Sequence, residues 1–527
     1  MARKEKTKWE YGDFQTPPEL ARHAMSVLQK RGLHPATIIE PSCGTGAFLL
    51  AALEAFPDAD RYIGCDINED SLVCLRTQIR DHPLSQRCHV QQADFFDFDW
   101  RACVDAARSP ILVLGNPPWV TSADLGMLGS RNLPDKSNFR GMRGLDAITG
   151  KSNFDISEWM LLESLSWLKN ASGAIAVLCK SSVARKILQH IWRNAVDIAH
   201  AEIYTIDANM HFGAAVDACF LILETGPASS ARSCMWFDSI CADQPTRTIG
   251  YHDETVVADL SGYQRWRHLG GGDLAYTWRS GIKHDCSEVM ELERQGGYFH
   301  NRMGEHFKLE DDYVFPMLKS SDLAVDGPLR YGRKYMLVTH SLIGEDTNLI
   351  QTRAPLTWAY LNRHSAALDR RGSSIYLKRP RFSVFGVGDY AFAPWKIAIS
   401  GFYKSLNFKL VAPVDQRPVV LDDTVYFLPC WCPEEAEFIA QLLASAPAQE
   451  FLRSMIFWDE KRPITVDLLK RLNIRSVAAE AGQINRYDRF ARQRRDRQLE
   501  VARGQMSLAI AEQGGTYSAA PNTAHDE

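Results

Sequence analysis

The 527-residue chain lacks any run of about 18 uncharged apolar residues, so no membrane span is expected. Its first residues, Met1-Ala2-Arg3-Lys4-Glu5-Lys6, are charged with no apolar stretch behind them, which does not read as a secretory signal. Twelve Cys are scattered without a dense spacing pattern. That usage fits reduced thiols and a cytoplasmic location rather than a disulfide scaffold. Cys430 and Cys432 are close, but no second Cys/His pair accompanies them at zinc-like spacing, and no metal is expected. Internal repeats and a nuclease motif are also missing. The net charge is only −4, which argues against a general nucleic-acid coat. What remains is a globular composition, 45% hydrophobic and 24% charged, with room for two or three domains.

The charge is unevenly placed. Between Arg330 and Leu410 there are 13 Lys and Arg against four acids, a local net charge of +9. A basic segment in a mildly acidic chain is what directional phosphate contact needs. From Gln483 to Arg503 there are seven Arg against three acids, followed by a Gly/Ala/Ser/Thr-rich end, which predicts a basic helix and a disordered tail over 483–527.

Chemistry concentrates in the first 120 residues. Thr16-Pro17-Pro18-Glu19 predicts a helix from Pro17 to Lys30, capped by Thr16 with Glu19 at the third position. Ala36 to Ile39 reads as a strand that turns through Glu40-Pro41-Ser42-Cys43-Gly44-Thr45-Gly46 into a helix. Gly44 and Gly46 would let backbone approach a ligand at a helix N-terminus. The full dinucleotide fingerprint is missing, since Leu49 replaces its third Gly. Glu40 is unlike part of a phosphate cradle and suits a cation such as the ammonium of a methionine moiety. A second strand ends in Asp66, 20 residues past Gly46, where an acid accepts from ribose hydroxyls. A third, from His89, ends in Asp94, placed to accept from an adenine amino group with Phe95 against the ring. Each acid alone could be a solvated strand end.

The fourth strand, Ile111 to Leu114, runs into Gly115-Asn116-Pro117-Pro118-Trp119. Two prolines end the ladder and stiffen the backbone. The Asn116 amide oxygen and a carbonyl of the Pro117-Pro118 turn can both accept hydrogen bonds from an exocyclic amine. Those bonds favour the pyramidal nitrogen of a methyl-transfer transition state over the planar ground state. Trp119 offers a stacking face for a flat base. The plainer reading is a strand-terminating turn with a buried Trp.

Taken together, these residues resemble the TaqI-like, gamma-class adenine-N6 DNA methyltransferases of restriction–modification systems. The resemblance rests on Phe14, Thr16 and Pro17, on Glu40, Pro41, Gly44 and Gly46, on Asp66 and Asp94, and on Asn116 to Trp119. The family more often has Tyr or Phe where Trp119 stands. The resemblance implies S-adenosyl-L-methionine bound by Thr16, Glu40, Pro41, Gly44, Gly46, Asp66, Asp94 and Phe95. It implies catalysis by Asn116, Pro117, Pro118 and Trp119 on an adenine flipped from double-stranded DNA. It also points to Phe212, in Asn209-Met210-His211-Phe212-Gly213, as a second ring stacking on that base opposite Trp119; a loop Phe packed in a core is the alternative. Trp278 to Asp285 and Tyr313 to Leu323 resemble segments of the family's target-recognition domain, and a partner restriction endonuclease is implied.

The expected architecture is α/β: a doubly wound, Rossmann-like methyltransferase domain over 10–225 and a mixed α+β recognition domain over 230–480, divided at Gly226-Pro227-Ala228-Ser229-Ser230. A Gly-rich loop is expected between Thr121 and Gly150, closing over cofactor or base. In Tyr376-Leu377-Lys378-Arg379-Pro380-Arg381-Phe382, cations alternate with aromatics, and Lys378, Arg379 and Arg381 are the expected DNA contacts. A monomer is expected. The competing functions are methylation of cytosine N4, an RNA base or a protein glutamine, and a DNA-specificity module whose catalytic half has decayed.

Overall fold

The computed structural model describes residues 15–120, 155–227 and 232–514, with side chains through 500. The expected loop over 121–150 and the tail beyond 514 lie outside the described residues. The chain forms two compact units, Met1–Ser261 and Gly262–Glu527. Among the described residues no helix is long and apolar enough to cross a membrane.

The first unit is built on one ten-stranded sheet. Its strands are β1 (Thr37–Glu40), β2 (Arg61–Asp66), β3 (Cys88–Gln92), β4 (Ile111–Gly115), β5 (Gly173–Lys180), β6 (Ile198–Ile206), β7 (Ala218–Thr225), β8 (Ser233–Phe237), β9 (Arg247–His252) and β10 (Thr255–Val257), in the spatial order β10-β9-β8-β6-β7-β5-β4-β1-β2-β3. Strands β3, β2, β1, β4 and β5 are parallel, and β7 is antiparallel to both β5 and β6. Parallel strands covered on both faces need apolar side chains throughout, and every residue of β4 is buried. Helices α1 (Pro18–Lys30), α2 (Ala47–Ala55), α3 (Glu69–Ile79), α4 (Trp100–Asp105), α5 (Ile156–Trp167), α6 (Ser181–Arg193) and α7 (Ala208–Phe212) flank the sheet. Leu20 and Leu28 of α1, Phe48 of α2 and Leu72 and Leu75 of α3 share one core with Ile38 and Leu112. After β3 the chain returns to place β4 on the other side of β1. This reversal opens a crevice at the carboxyl ends of β1 and β4, where open α/β sheets bind ligands.

Two expectations are corrected here. Helix α1 starts at Pro18, with Pro17 in the cap position and no side-chain cap. Thr16 is therefore not the cap, and its hydroxyl is engaged elsewhere. The sheet also does not end near residue 225. Strand β8 pairs in parallel with β6, and β9 and β10 follow by antiparallel pairing. They cover an edge of β6 whose Ile203 is fully buried, so the Gly226-Pro227 step marks a turn within the first unit. An uncovered edge of that kind invites unwanted strand pairing.

The second unit holds a six-stranded sheet and a four-stranded one. The first has the order β14-β13-β12-β16-β15-β19 and uses β12 (Glu291–Gln295), β13 (Tyr298–Asn301), β14 (His306–Phe307), β15 (Val314–Leu318), β16 (Tyr335–Leu337) and β19 (Val420–Leu421). The second has the order β11-β20-β17-β18 and uses β11 (Arg279–Ser280), β17 (Trp395–Ser400), β18 (Lys409–Val411) and β20 (Val425–Cys430).

The basic run near the C-terminus is a helix, Ile484–Gly514. Several of its cations make contacts within their own unit. Arg494, 7% exposed, donates to Glu435 Oε1 at 2.9 Å and to the carbonyls of Pro429 and Ala275, and its guanidinium lies over the Tyr276 ring. Arg497 stacks on Trp431 and Arg486 on Phe438. Removing one member of a buried ion pair strands the other. Arg494→Met is therefore expected to lower the unfolding free energy of this unit by about 3 kcal/mol or more in urea titration. The double variant with Glu435→Leu should recover part of the loss, and a double variant no better than the single would contradict a strict charge-pair role.

Candidate active site

A cavity of about 470 Å³ opens at the carboxyl ends of β1, β2, β3 and β4. It gathers Thr16, Glu40, Pro41, Gly44, Asp66, Asp94, Phe95, Asn116 and Pro118, residues spread over some 100 positions of sequence and expected to work together.

Each is held by local chemistry. Glu40, the last residue of β1, is 3% exposed, and its Oε2 accepts from the Leu49 N–H at 2.9 Å near the start of α2. Burial pushes its carboxyl well above the usual range and the charge of Asp66 adds to the shift, while the Leu49 N–H opposes it. Gly115, where β4 ends, has φ +145°, and a Cβ there would stand 3.3 Å from Glu40 Cγ. Gly46 has φ +84°, and its Cβ would fall 2.1 Å from Leu75 Cδ1. Gly46 therefore fixes the close approach of α2 to α3 and does not itself line the cavity.

Asp66 accepts from the Gly44 N–H at 2.7 Å and from the Asn68 N–H at 2.9 Å. It thus shapes the Gly loop as well as facing the cavity. Asp94 Oδ1 accepts from the Phe96 N–H at 2.9 Å. The Phe95 ring is packed by Trp100, Trp159 and Trp167, with centroids 5.5–5.9 Å away. Asn116 Nδ2 donates to Thr16 Oγ1 at 3.3 Å, which is the engagement that replaces the expected helix cap. Thr16 thereby pins the NH2 end of the amide and sets the orientation of its acceptor end.

The aromatic pair departs from expectation. Trp119 is 6% exposed and packs in the core, and it meets Phe212 edge to face, with centroids 5.1 Å apart at 72°. A base sandwiched between two rings needs two parallel gaps of about 3.5 Å each. No such slot stands open between these two rings, because the edge of one fills the space over the face of the other. Pro117, Trp119 and Phe212 do not line the cavity, although Asn116 and Pro118 of the same turn do.

The remaining predicted residues belong to the second unit. Lys378 and Arg379 are exposed, and Arg379 lies 5.7 Å from the Phe385 ring centroid. Arg381 is paired with Asp369 at 2.6 Å, so its charge is already answered within the unit.

Several lining residues were not foreseen. Gln15 Oε1 accepts from the Thr45 hydroxyl at 2.7 Å and braces the Gly loop. Asn68, Glu69 and Ser71 come from the start of α3, where position just after Asp66 was the available signal. Ile156 and Met160 of α5 form an apolar wall, signalled only by the apolar stripe of a helix following the turn.

A family model described as N-6 DNA Methylase matches residues 2–244. The type II methyltransferase M.NspV of Nostoc sp. (strain ATCC 29411 / PCC 7524) is 43% identical over 477 residues, covering 90% of this chain and 98% of that protein. The type II methyltransferase M.XamI of Xanthomonas campestris pv. amaranthicola is 31% identical over 115 residues, 22% of this chain and 21% of its own length. Among solved structures, the type IIL restriction-modification enzyme MmeI in complex with DNA superposes with a TM-score of 0.51 at 14% identity, over 86% of this chain and 64% of that one. That likeness bears on the fold.

Glu40 carries a pH signature. Its folded carboxyl titrates above the ordinary value of 4.5, so the folded chain keeps this proton where the unfolded chain releases it. Stability contributed by the group therefore falls as pH rises from 4.5 through the raised folded value, and stays low above it. Unliganded Glu40→Gln should melt at a higher temperature than the wild type at neutral pH, with the gap closing as pH is lowered toward 4.5. Equal melting temperatures at neutral pH would contradict this.

Proposed function

The chain belongs to the N-6 DNA methylase family, and on that premise we propose that it moves a methyl group from S-adenosyl-L-methionine to the N6 amine of an adenine turned out of double-stranded DNA. The observation that carries the reading is the meeting of Asn116 with three strand-end carboxylates in one cavity.

The donor set fits the cofactor. Glu40, Asp66 and Asp94 all offer carboxylate oxygens to the cavity, and Glu40 beside the Gly loop stands where a phosphate cradle would present donors. They suit a ligand with an ammonium at one end, ribose hydroxyls in the middle and an amino-substituted ring at the other. Glu40 would take the ammonium, whose positive charge would favour the carboxylate form that burial disfavours. Asp66 would take the hydroxyls, and Asp94 and Phe95 the ring, with Ile156 and Met160 closing the apolar side. When bound, this cofactor supplies a methyl group on a sulfonium.

The chain's own part is orientation and hydrogen bonding. Thr16 holds the Asn116 amide, and the amide oxygen and the Pro117 carbonyl accept from the two hydrogens of the amine. Bonds of this kind are stronger to the pyramidal nitrogen that develops during transfer than to the planar one, so they lower the barrier. Trp119 and Phe212 would separate to receive the base between them. Two reacting groups held in near-attack geometry account for a further several kcal/mol. Lys378 and Arg379 of the second unit are the proposed phosphate contacts. The same reading places the chain in the cytoplasm as a monomer, serving as the modification partner of a restriction endonuclease.

Asn116→Ala is expected to lower methyl transfer by at least about a hundredfold while cofactor affinity changes little. Radiolabel transfer to plasmid DNA and calorimetry of cofactor binding read the two separately, and parallel loss of both would remove the assigned role. Digestion of the labelled DNA should place the label in N6-methyladenine; label in N4-methylcytosine, in RNA or in protein would overturn the reading. The double variant Lys378→Ala, Arg379→Ala should weaken DNA binding and flatten the plot of log affinity against log salt by about 1 per lost contact, whereas Arg381→Ala should leave the slope nearly unchanged.

A further inference from the structure

Strand β5 runs beside β4, with Val177 opposite Gly115, and ends at Lys180, which pairs with Ala218 of β7. Lys180 thus stands at the same sheet edge as the Asn116 turn. Its Nζ donates to Asp155 Oδ2 at 2.6 Å, and the two side chains are only 20% and 7% exposed. Asp155 caps α5, its Oδ1 accepting from the Ser157 N–H and hydroxyl. The next residue, Ile156, donates its N–H to the Val120 carbonyl at 2.9 Å, directly after Trp119. Ile156 and Met160 pack with Phe95, Phe96 and Val120 and line the cavity. On the other side of Lys180, the Ser181 N–H donates to the Asp217 carbonyl, at the end of the loop that carries Phe212.

The Lys180 ammonium is therefore tied through Asp155 to the helix end that forms the apolar wall and, by way of the Ile156 N–H, to the exit of the Asn116 turn, while the backbone beside Lys180 reaches the base of the Phe212 loop. A second pair, Lys186 of α6 with Glu158 of α5 at 3.0 Å, lies within the first turn of α5 and does not involve the capping carboxylate. We propose that Lys180 is a positioning residue for methyl transfer, acting through Asp155 to hold the Asn116–Val120 turn in register with the apolar wall of the cofactor cavity.

The reason is electrostatic and geometric. Without Lys180, the nearly buried Asp155 carboxylate loses its countercharge, and the low-energy response is to turn toward water. That movement releases the cap of α5 and, with it, the Ile156–Val120 hydrogen bond. A displacement of about 1 Å at a reacting group can cost on the order of a hundredfold in rate while ligand contacts elsewhere persist.

The inference rests on the methyl-transfer reading, and the two fail differently. Wild-type protein that transfers no methyl to adenine sinks that reading. Active wild type accompanied by an equally active variant sinks only the role of Lys180. The test is single-turnover transfer to plasmid DNA, normalised to the sites that bind cofactor. Lys180→Met is expected to lose about a hundredfold in kcat with cofactor and DNA Kd changed by less than about threefold. Lys180→Arg should restore most of the rate, and Lys186→Met should lower the melting temperature without changing kcat. If Lys180→Met retains kcat within about twofold per site, or if its kcat loss is matched by Lys186→Met, the inference is wrong. Should Lys180→Met not fold, Asp155→Asn, which keeps the cap oxygen and removes the charge pair, is judged by the same kcat and Kd criteria.

Discussion

At the end of β1 a carboxylate almost shut off from water is held by a backbone N–H from α2. Much of the site is arranged around Glu40. The start of α2 must come close enough to donate that bond, and the Gly loop makes the close turn possible. Strand β4 must leave the sheet through a glycine, because any side chain at Gly115 would press on the Glu40 stem. The next residue after that forced glycine is Asn116. The close approach of β1 and β4 therefore ties a group suited to a cation and a group suited to an amine to the same few ångströms of backbone.

A site assembled from strand ends needs bracing from outside the strands, and three side chains provide it. Thr16, just ahead of α1, reaches the Asn116 amide. Gln15 reaches Thr45 of the Gly loop. Lys180, at the end of β5, reaches the cap of α5. Each crosses from one element to another, so the placement of reactive groups depends on tertiary packing more than on the motif carrying them. The second unit shows the same economy of charge. Arg494 and Arg381 answer carboxylates of their own unit, leaving Lys378 and Arg379 as exposed cations of the predicted set.

The parts readable in the sequence were those where a strand's apolar run stops at one polar residue. Asp66 and Asn116 are of this type, whereas Asp94 follows the polar strand β3, and the structure brings all three to one cavity. Thr16 was misread because Thr-Pro-Pro-Glu satisfies a helix start locally, and nothing nearby in sequence announces an asparagine 100 residues away. The extent of the first sheet was misread because Gly226-Pro227 has the composition of a linker, while the pairing of β8 with β6 depends on an edge that sequence does not display. Charge counts over 483–503 could not say which way each arginine faces. The contact between Trp119 and Phe212 depends on how the α7 loop settles against the Pro-Pro turn, and no local pattern encodes that.

The edge-to-face meeting of Trp119 and Phe212 has a further consequence. Aromatic pairs of this kind are worth about 0.5–1.5 kcal/mol beyond the area they cover, and this pair closes over the place proposed for the substrate base. A visiting planar group must first break an attraction the resting protein already enjoys. Small or saturated groups gain too little from the two rings to do so. On that reading the resting contact would act as a latch against molecules unable to stack on both rings at once.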